Sequence, residues 1–187
     1  MKKLTKFLCA GVAALGLSGG VASSLLADTP VTYNDGSNSV FRINVPDFWS
    51  ARVGGHRELT APGDEGSRVV DRVIGLQPER DSGVWVGFVS PNGLSTLDEA
   101  AEYARSLAPQ IAKDTEITDF ENRNIAGYPS RVYRGHGRRD GNTVYFTVSL
   151  IDLPNGRVIF SMTALQPGYE PTVLDDVNAI YNSIRSQ

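Results

Sequence analysis

Cysteine occurs once, at Cys9, and lysine, after Lys2, Lys3 and Lys6, recurs only at Lys113. A chain cut after residue 27 therefore has no disulfide, no thiol nucleophile and no thiolate metal site, and must fold by its core alone. Histidine is nearly as scarce. His56 and His136 stand far apart and match neither H-x-x-x-H nor H-E-x-x-H, which argues against a zinc hydrolase. A metal site built across space with Asp64, Glu65 or Asp140 is the alternative to two surface or turn histidines; no metal and no cofactor is expected. No apolar run reaches the roughly 20 residues that span a bilayer, so no stable membrane anchor is expected. Asn-x-Ser/Thr triplets are absent too: Asn142-Thr143-Val144 and Asn182-Ser183-Ile184 lack the third-position hydroxyl.

The first 27 residues have the plan of a secretory signal peptide. Lys2, Lys3 and Lys6 form a basic end, Leu8 to Leu17 is a short apolar run, and small residues lead to Leu-Leu-Ala before Asp28. Cleavage is expected between Ala27 and Asp28, which gives a periplasmic or secreted protein. Cys9 precedes the apolar run instead of ending it, which argues against a lipid anchor. Without the leader, fifteen basic residues face twenty-one acidic ones, a net charge of −6. That balance favours solubility and argues against holding nucleic acid by diffuse charge. The remaining length suits one domain, 39–187, after a polar, turn-rich arm at 28–38.

Val40 to Val45 alternates and stops at Pro46, a strand with a breaker. Trp49 to Leu59 reads as a strand weakened by Gly54-Gly55, and Ala61 to Gly66 as a loop. Arg68 to Leu76 and Val84 to Val89 are β-rich runs joined by a hairpin at Pro78 to Gly83. Thr96 and Glu99 form a capping box, and an alanine-rich stripe from Leu97 to Ile111 marks an amphipathic helix that Pro109 kinks or ends. Ile117 to Ile125 reads as a linking segment and Gly127-Tyr128-Pro129 as a turn. Ser130–Gly137, Thr143–Asp152 and Val158–Leu165 form a meander across Asp140-Gly141 and Asn155-Gly156. Pro171 opens a last helix with Val173, Leu174, Val177, Ile180, Tyr181 and Ile184 on one face. About seven strands and two principal helices predict an α+β fold: an α/β/α sandwich with a mainly antiparallel sheet.

Catalytic signals are weak. Gly16-Leu17-Ser18-Gly19-Gly20 fits a nucleophile elbow but lies in the leader. Arg134 to Gly141 carries glycines and arginines suited to an anion, yet runs into a hairpin and fails both phosphate-loop patterns. It reads as a solvated hairpin tip, or as a docking patch for an acidic partner through Arg138 and Arg139. Asp98/Glu99 and Asp175/Asp176 sit in first helical turns, where the helix dipole favours negative charge. Trp85 reads as core. Trp49, at a strand end, caps the core or faces a ligand.

Phe41-Arg42-Ile43-Asn44-Val45-Pro46-Asp47-Phe48-Trp49 resembles the opening of PsbP-like domains. Leu97 to Ile111 is similar to their middle helix, Ile125-Ala126-Gly127-Tyr128-Pro129 to the segment before their central strands, and Val173 to Ile184 to their closing helix. The resemblance implies an α/β/α sandwich around an antiparallel sheet and a bias toward binding and assembly roles; it carries over no functional residue. The expectation is an exported, soluble, non-enzymatic protein that docks an envelope protein partner in the periplasm through Trp49, Arg138 and Arg139. The alternative is a carrier of a small apolar or lipidic ligand held between helix and sheet. A hydrolase with an unfamiliar site comes third.

Overall fold

The computed structural model describes residues 28–55, 57–60, 67–70 and 72–187. The leader with Ala27, the loop 61–66 with Asp64 and Glu65, and His56 lie outside these residues. Twelve strands and two helices are formed among those described. The α+β expectation holds: helices pack on antiparallel sheets.

The main sheet has seven strands in the order β3 (Trp49–Val53), β6 (Ile74–Pro78), β7 (Val84–Val89), β11 (Arg157–Leu165), β10 (Asn142–Leu153), β9 (Tyr128–Arg139) and β8 (Lys113–Ile125), every neighbouring pair antiparallel. The predicted meander is its backbone. Asp140 and Gly141 both take left-handed φ (52° and 82°), the geometry whose twist matches the flanking strands. At the β10–β11 turn the Asn155 amide donates to the carbonyls of Val40 (2.9 Å) and Gln187 (3.2 Å), tying that turn to a second sheet.

This second sheet has three strands: β1 (Thr29–Asp35), β2 (Asn38–Val45) and β12 (Arg185–Ser186), with β2 in the middle. A two-stranded hairpin, β4 (Arg57–Thr60) with β5 (Ser67–Val70), completes the set. The polar arm expected at 28–38 is thus mostly strand β1. It lies at an edge, where Tyr33 is its only buried residue and Val31 is half-buried, so two apolar side chains alone mark its inner face. The strand expected over Trp49 to Leu59 divides at Gly54-Gly55 into β3 and β4, and the run from Arg68 to Leu76 divides into β5 and β6.

Helix α1 (Leu97–Ile111) covers one face of the main sheet. Helix α2 (Val173–Asn182) and the small sheet cover the other. Pro109 lies inside the last turn of α1 and costs it only a late backbone bond, because Ala112 N still donates to Ala108 O. On the α2 side, Tyr181 reaches down to the sheet and shares hydrogen bonds with the hydroxyls of Ser161 (2.7 Å) and Thr163 (3.1 Å). Ser161 in turn donates to the Gly87 carbonyl at 2.8 Å, so the buried cluster is internally satisfied.

The Tyr181 side chain as a whole is only partly covered, but its hydroxyl end is enclosed, and that burial raises its pKa above the ordinary 10.0. The bonds to Ser161 and Thr163, with the Ser149 hydroxyl nearby, oppose the rise without cancelling it. The unfolded chain ionises this phenol near pH 10, whereas the folded one resists. Its stabilising contribution is therefore complete below pH 10 and declines as pH climbs from there through the raised folded value. Urea unfolding from pH 8 to 11 should show stability falling above pH 10. Tyr181→Phe should flatten that fall and lower stability by about 1 kcal/mol at pH 8 through the lost hydrogen bonds. An unchanged alkaline slope in the variant would assign the effect to other tyrosines.

Candidate functional site

Helix α1 begins with the predicted capping box. Glu99 N donates to Thr96 Oγ1 (3.2 Å), and Glu99 Oε2 accepts from the backbone N–H of Ser95 (2.9 Å) and Thr96 (3.0 Å) and from Ser95 Oγ (3.1 Å). These donors, the Ser95 backbone foremost, hold the Glu99 carboxyl below the usual carboxylate range. One residue earlier, Asp98 Oδ1 accepts from Arg131 Nη1 on β9 at 2.6 Å and fixes the start of the helix over the sheet.

From that anchor the helix turns a face of small residues downward. Ala100 and Leu107 are buried against the sheet, while Ala101, Ala104 and Ala108 leave a gap beside them. Below the gap lie Tyr133, Phe146, Val148, Phe160 and Met162, which strand registration places on one face of β9, β10 and β11. Ile111, Thr115 and Ile117 close the end toward β8, and Arg105 stands at the rim. The result is a partly open apolar groove of about 300 Å³.

Two absent side chains shape its sheet side. Gly135 pairs with Phe146 and Gly137 with Val144, so both glycines lie on the α1 face. A Cβ on Gly135 would stand 2.2 Å from the Glu116 carbonyl oxygen and 2.8 Å from Phe146 Cζ. One on Gly137 would stand 2.9 Å from Ala112 Cβ. These glycines let the backbone of β8, whose register shifts between Lys113 and Glu116 and again between Ile117 and Asp119, fold in and become the groove wall. They are packing glycines and not a phosphate cradle.

The segment read as a link at Ile117 to Ile125 is most of β8, a strand of 13 residues. It is an edge strand exposed along nearly its whole length, so burial imposes no alternation on its sequence. Ile117 and Phe120 are half exposed there, and Phe120 packs against Tyr133 at 5.0 Å. Two apolar side chains in a polar segment were the one signal in the sequence that β8 flanks an apolar site.

The sequence-nominated docking residues are not brought together. Trp49 is 5% exposed and caps the core, its indole N–H 3.5 Å from Asp176 Oδ2 in the first turn of α2. Arg138 and Arg139 sit at the β9–β10 hairpin, bound to Gly141 O (3.3 Å) and near Asp140 Oδ2 (3.8 Å). Strands β3 and β9 are five positions apart in the sheet, a separation of roughly 24 Å. Trp85 is half-buried and lies across Gly75 and Gly87, filling the face those residues leave bare. His136 pairs loosely with Glu116 at 3.6 Å, and among the described residues no group of three or more His, Cys, Asp or Glu could hold a metal. No described helix is long and apolar enough to cross a membrane.

On the opposite face, a more polar groove of about 600 Å³ runs between β9 and α2. Its Arg134 donates to both Asp119 and Glu121, and Tyr181 is held as described, so its charged and hydroxyl groups are largely engaged within the chain.

No family model matches the chain, and no curated protein sequence is significantly similar to it. Solved structures are. A protein from Bacteroides thetaiotaomicron VPI-5482 aligns over 87% of this chain at 6% identity with a TM-score of 0.55; the chain spans about half (49%) of that protein. LpqN, involved in cell envelope biogenesis of Mycobacterium tuberculosis, aligns over 86% of this chain and 90% of its own at 15% identity, and its TM-score of 0.47 adds nothing to the assignment. The solution structure of cyanobacterial PsbP (CyanoP) from Synechocystis sp. PCC 6803 aligns over 94% of this chain and all (100%) of its own at 13% identity, TM-score 0.53. What these likenesses establish is a fold similar to that of cyanobacterial PsbP, and no activity.

Proposed function

We propose that this chain is an exported binding protein that carries a small apolar or amphipathic molecule in the groove between α1 and the main sheet. The observation that carries the reading is the groove itself: about 300 Å³, walled by alanines above and by Phe146, Val148, Phe160 and Met162 below. Its volume lies at the lower end for small-molecule sites, suited to one acyl chain or one flat ring system. Each methylene moved from water into such a site contributes about 0.8 kcal/mol. Export rests on the leader sequence. Protein docking, first in order from the sequence, loses ground because Trp49 is enclosed and remote from Arg138 and Arg139.

Native mass spectrometry of the mature protein isolated from its own cell envelope, together with titration by a fluorescent acyl probe, tests the reading. Wild type should hold a small-molecule mass or take up the probe saturably. Ala104→Phe, which fills the groove from the helix side, should abolish both while the far-ultraviolet circular dichroism stays unchanged. A bare protein with no saturable uptake would overturn carriage and return attention to protein partners.

A further inference from the structure

Among the described residues, Arg105 is the one charged residue lining the apolar groove, and it is a cation. From this we infer that the ligand is a single-chain amphiphile with a carboxylate end, its chain in the groove and its carboxylate at the guanidinium of Arg105. The inference rests on the carriage reading above and adds the chemistry of the head group.

Arg105 is two turns beyond Asp98 on α1, so it overhangs the stretch of β9 that carries Tyr133. Its present partner is Glu102, one turn back, whose Oε1 lies against Nη1; both side chains are largely exposed, at 67% and 74%. An exposed i,i+3 pair of this kind contributes little and is readily exchanged for another carboxylate. The guanidinium has five N–H donors in a planar fork, which suits it to a bidentate carboxylate once that exposed pair exchanges. Tyr133 contributes the second polar group at this end. Its ring lines the groove, and it stands close to both Arg105 and Arg131. Arg131 sits two residues away on the same face of β9 and is already spent on Asp98, which makes it a positioning residue for the helix. Among the described residues, Thr115 is the remaining polar group on the lining, and none of the lining residues is acidic. A neutral alcohol would leave the Arg105 fork unmatched, and a cationic amphiphile would face it directly.

Displacement of a fluorescent acyl probe from the mature protein by decanoate, decanol and decyltrimethylammonium, at low and at high salt, tests the assignment. Decanoate should bind roughly tenfold more tightly than decanol, with the advantage shrinking as salt screens the pair. Arg105→Gln should erase the advantage, bringing decanoate to the affinity of decanol. Arg105→Lys should recover only part of it, because an ammonium cannot fork a carboxylate. Equal affinities for decanoate and decanol in the wild type, or tightest binding of the ammonium, would overturn the head-group assignment while leaving carriage standing. Failure of all three to displace the probe from a protein that binds it would also reject a single-chain ligand. A protein that takes up no probe at all would bring down the carriage reading and this inference with it.

Discussion

Phe88→Ala should destabilise the protein by about 4 kcal/mol, the cost of removing a fully buried ring from a site that cannot close around the void. Phe88 is wholly buried on β7, an interior strand of the main sheet, so the backbone on both sides of it is pinned by ladder bonds. Its ring lies 5.3 Å from that of Tyr181 on α2 and 6.3 Å from that of Phe41 on β2. Phe41 in turn stacks on Tyr33 of β1 at 5.0 Å and 7°. One side chain therefore joins the main sheet, the closing helix and the small sheet. Alanine there removes the contact on which Tyr181 rests and frees the phenol to leave Ser161 and Thr163. In a domain of this size the melting temperature should fall by roughly 10 °C. Urea unfolding should show a lower midpoint with the slope unchanged. Val53→Thr, at a half-exposed position on β3, should stay within about 0.5 kcal/mol of wild type. A loss below about 1.5 kcal/mol for Phe88→Ala would mean that β2 and α2 collapse inward, and that the three layers are less firmly tied than this ring chain implies.

The elements that could be read from sequence alone are those whose two faces meet different surroundings. β10 has core on one side and core or solvent on the other, α1 has a capped start and an apolar stripe, and the Asp140-Gly141 turn has a backbone requirement that few residue pairs meet. β8 is hidden in the sequence because exposure on both faces removes the alternation that identifies a strand, and β1 because Val31 and Tyr33 alone mark its inner face. The small sheet escaped with β1, since its third strand, Arg185–Ser186, is too short to leave a pattern. The groove was half legible. Alanines on α1 are compatible with close packing and with a gap, and the choice between them depends on what the sheet offers beneath. Gly135 and Gly137 supply that answer only once their face is known, because in sequence their alternation with Arg134, His136 and Arg138 suggests an anion site at a hairpin. Trp49 and the two arginines share a chemistry suited to docking, but the sequence does not show strand order, and strand order is what separates them.

Gly135→Ala should cost about 3 kcal/mol and should impair ligand uptake, which makes it the sharpest single probe of how the groove is built. The new Cβ would meet a backbone atom, the Glu116 carbonyl oxygen at 2.2 Å, and also the Phe146 ring at 2.8 Å. Rotation of the ring can relieve only the second contact. The first requires the bulged part of β8 to move off β9, so the cost exceeds that of ordinary overpacking against flexible side chains. Gly137→Ala should be milder, since its nearest neighbour is the Ala112 methyl at 2.9 Å and its nearest backbone atom lies at 3.0 Å. Gly55→Ala meets nothing within 4 Å and should be nearly silent. Thermal unfolding and acyl-probe titration on the same samples separate the two routes of relief. If β8 lifts away, Ile117 and Thr115 leave the groove wall, stability falls steeply, and the folded fraction binds the probe weakly at a widened site. If Phe146 yields alone, stability falls less, but the ring enters the cavity and blocks uptake outright. A variant as stable as wild type that binds the probe normally would contradict both routes, and with them the role of Gly135 in letting β8 form the wall.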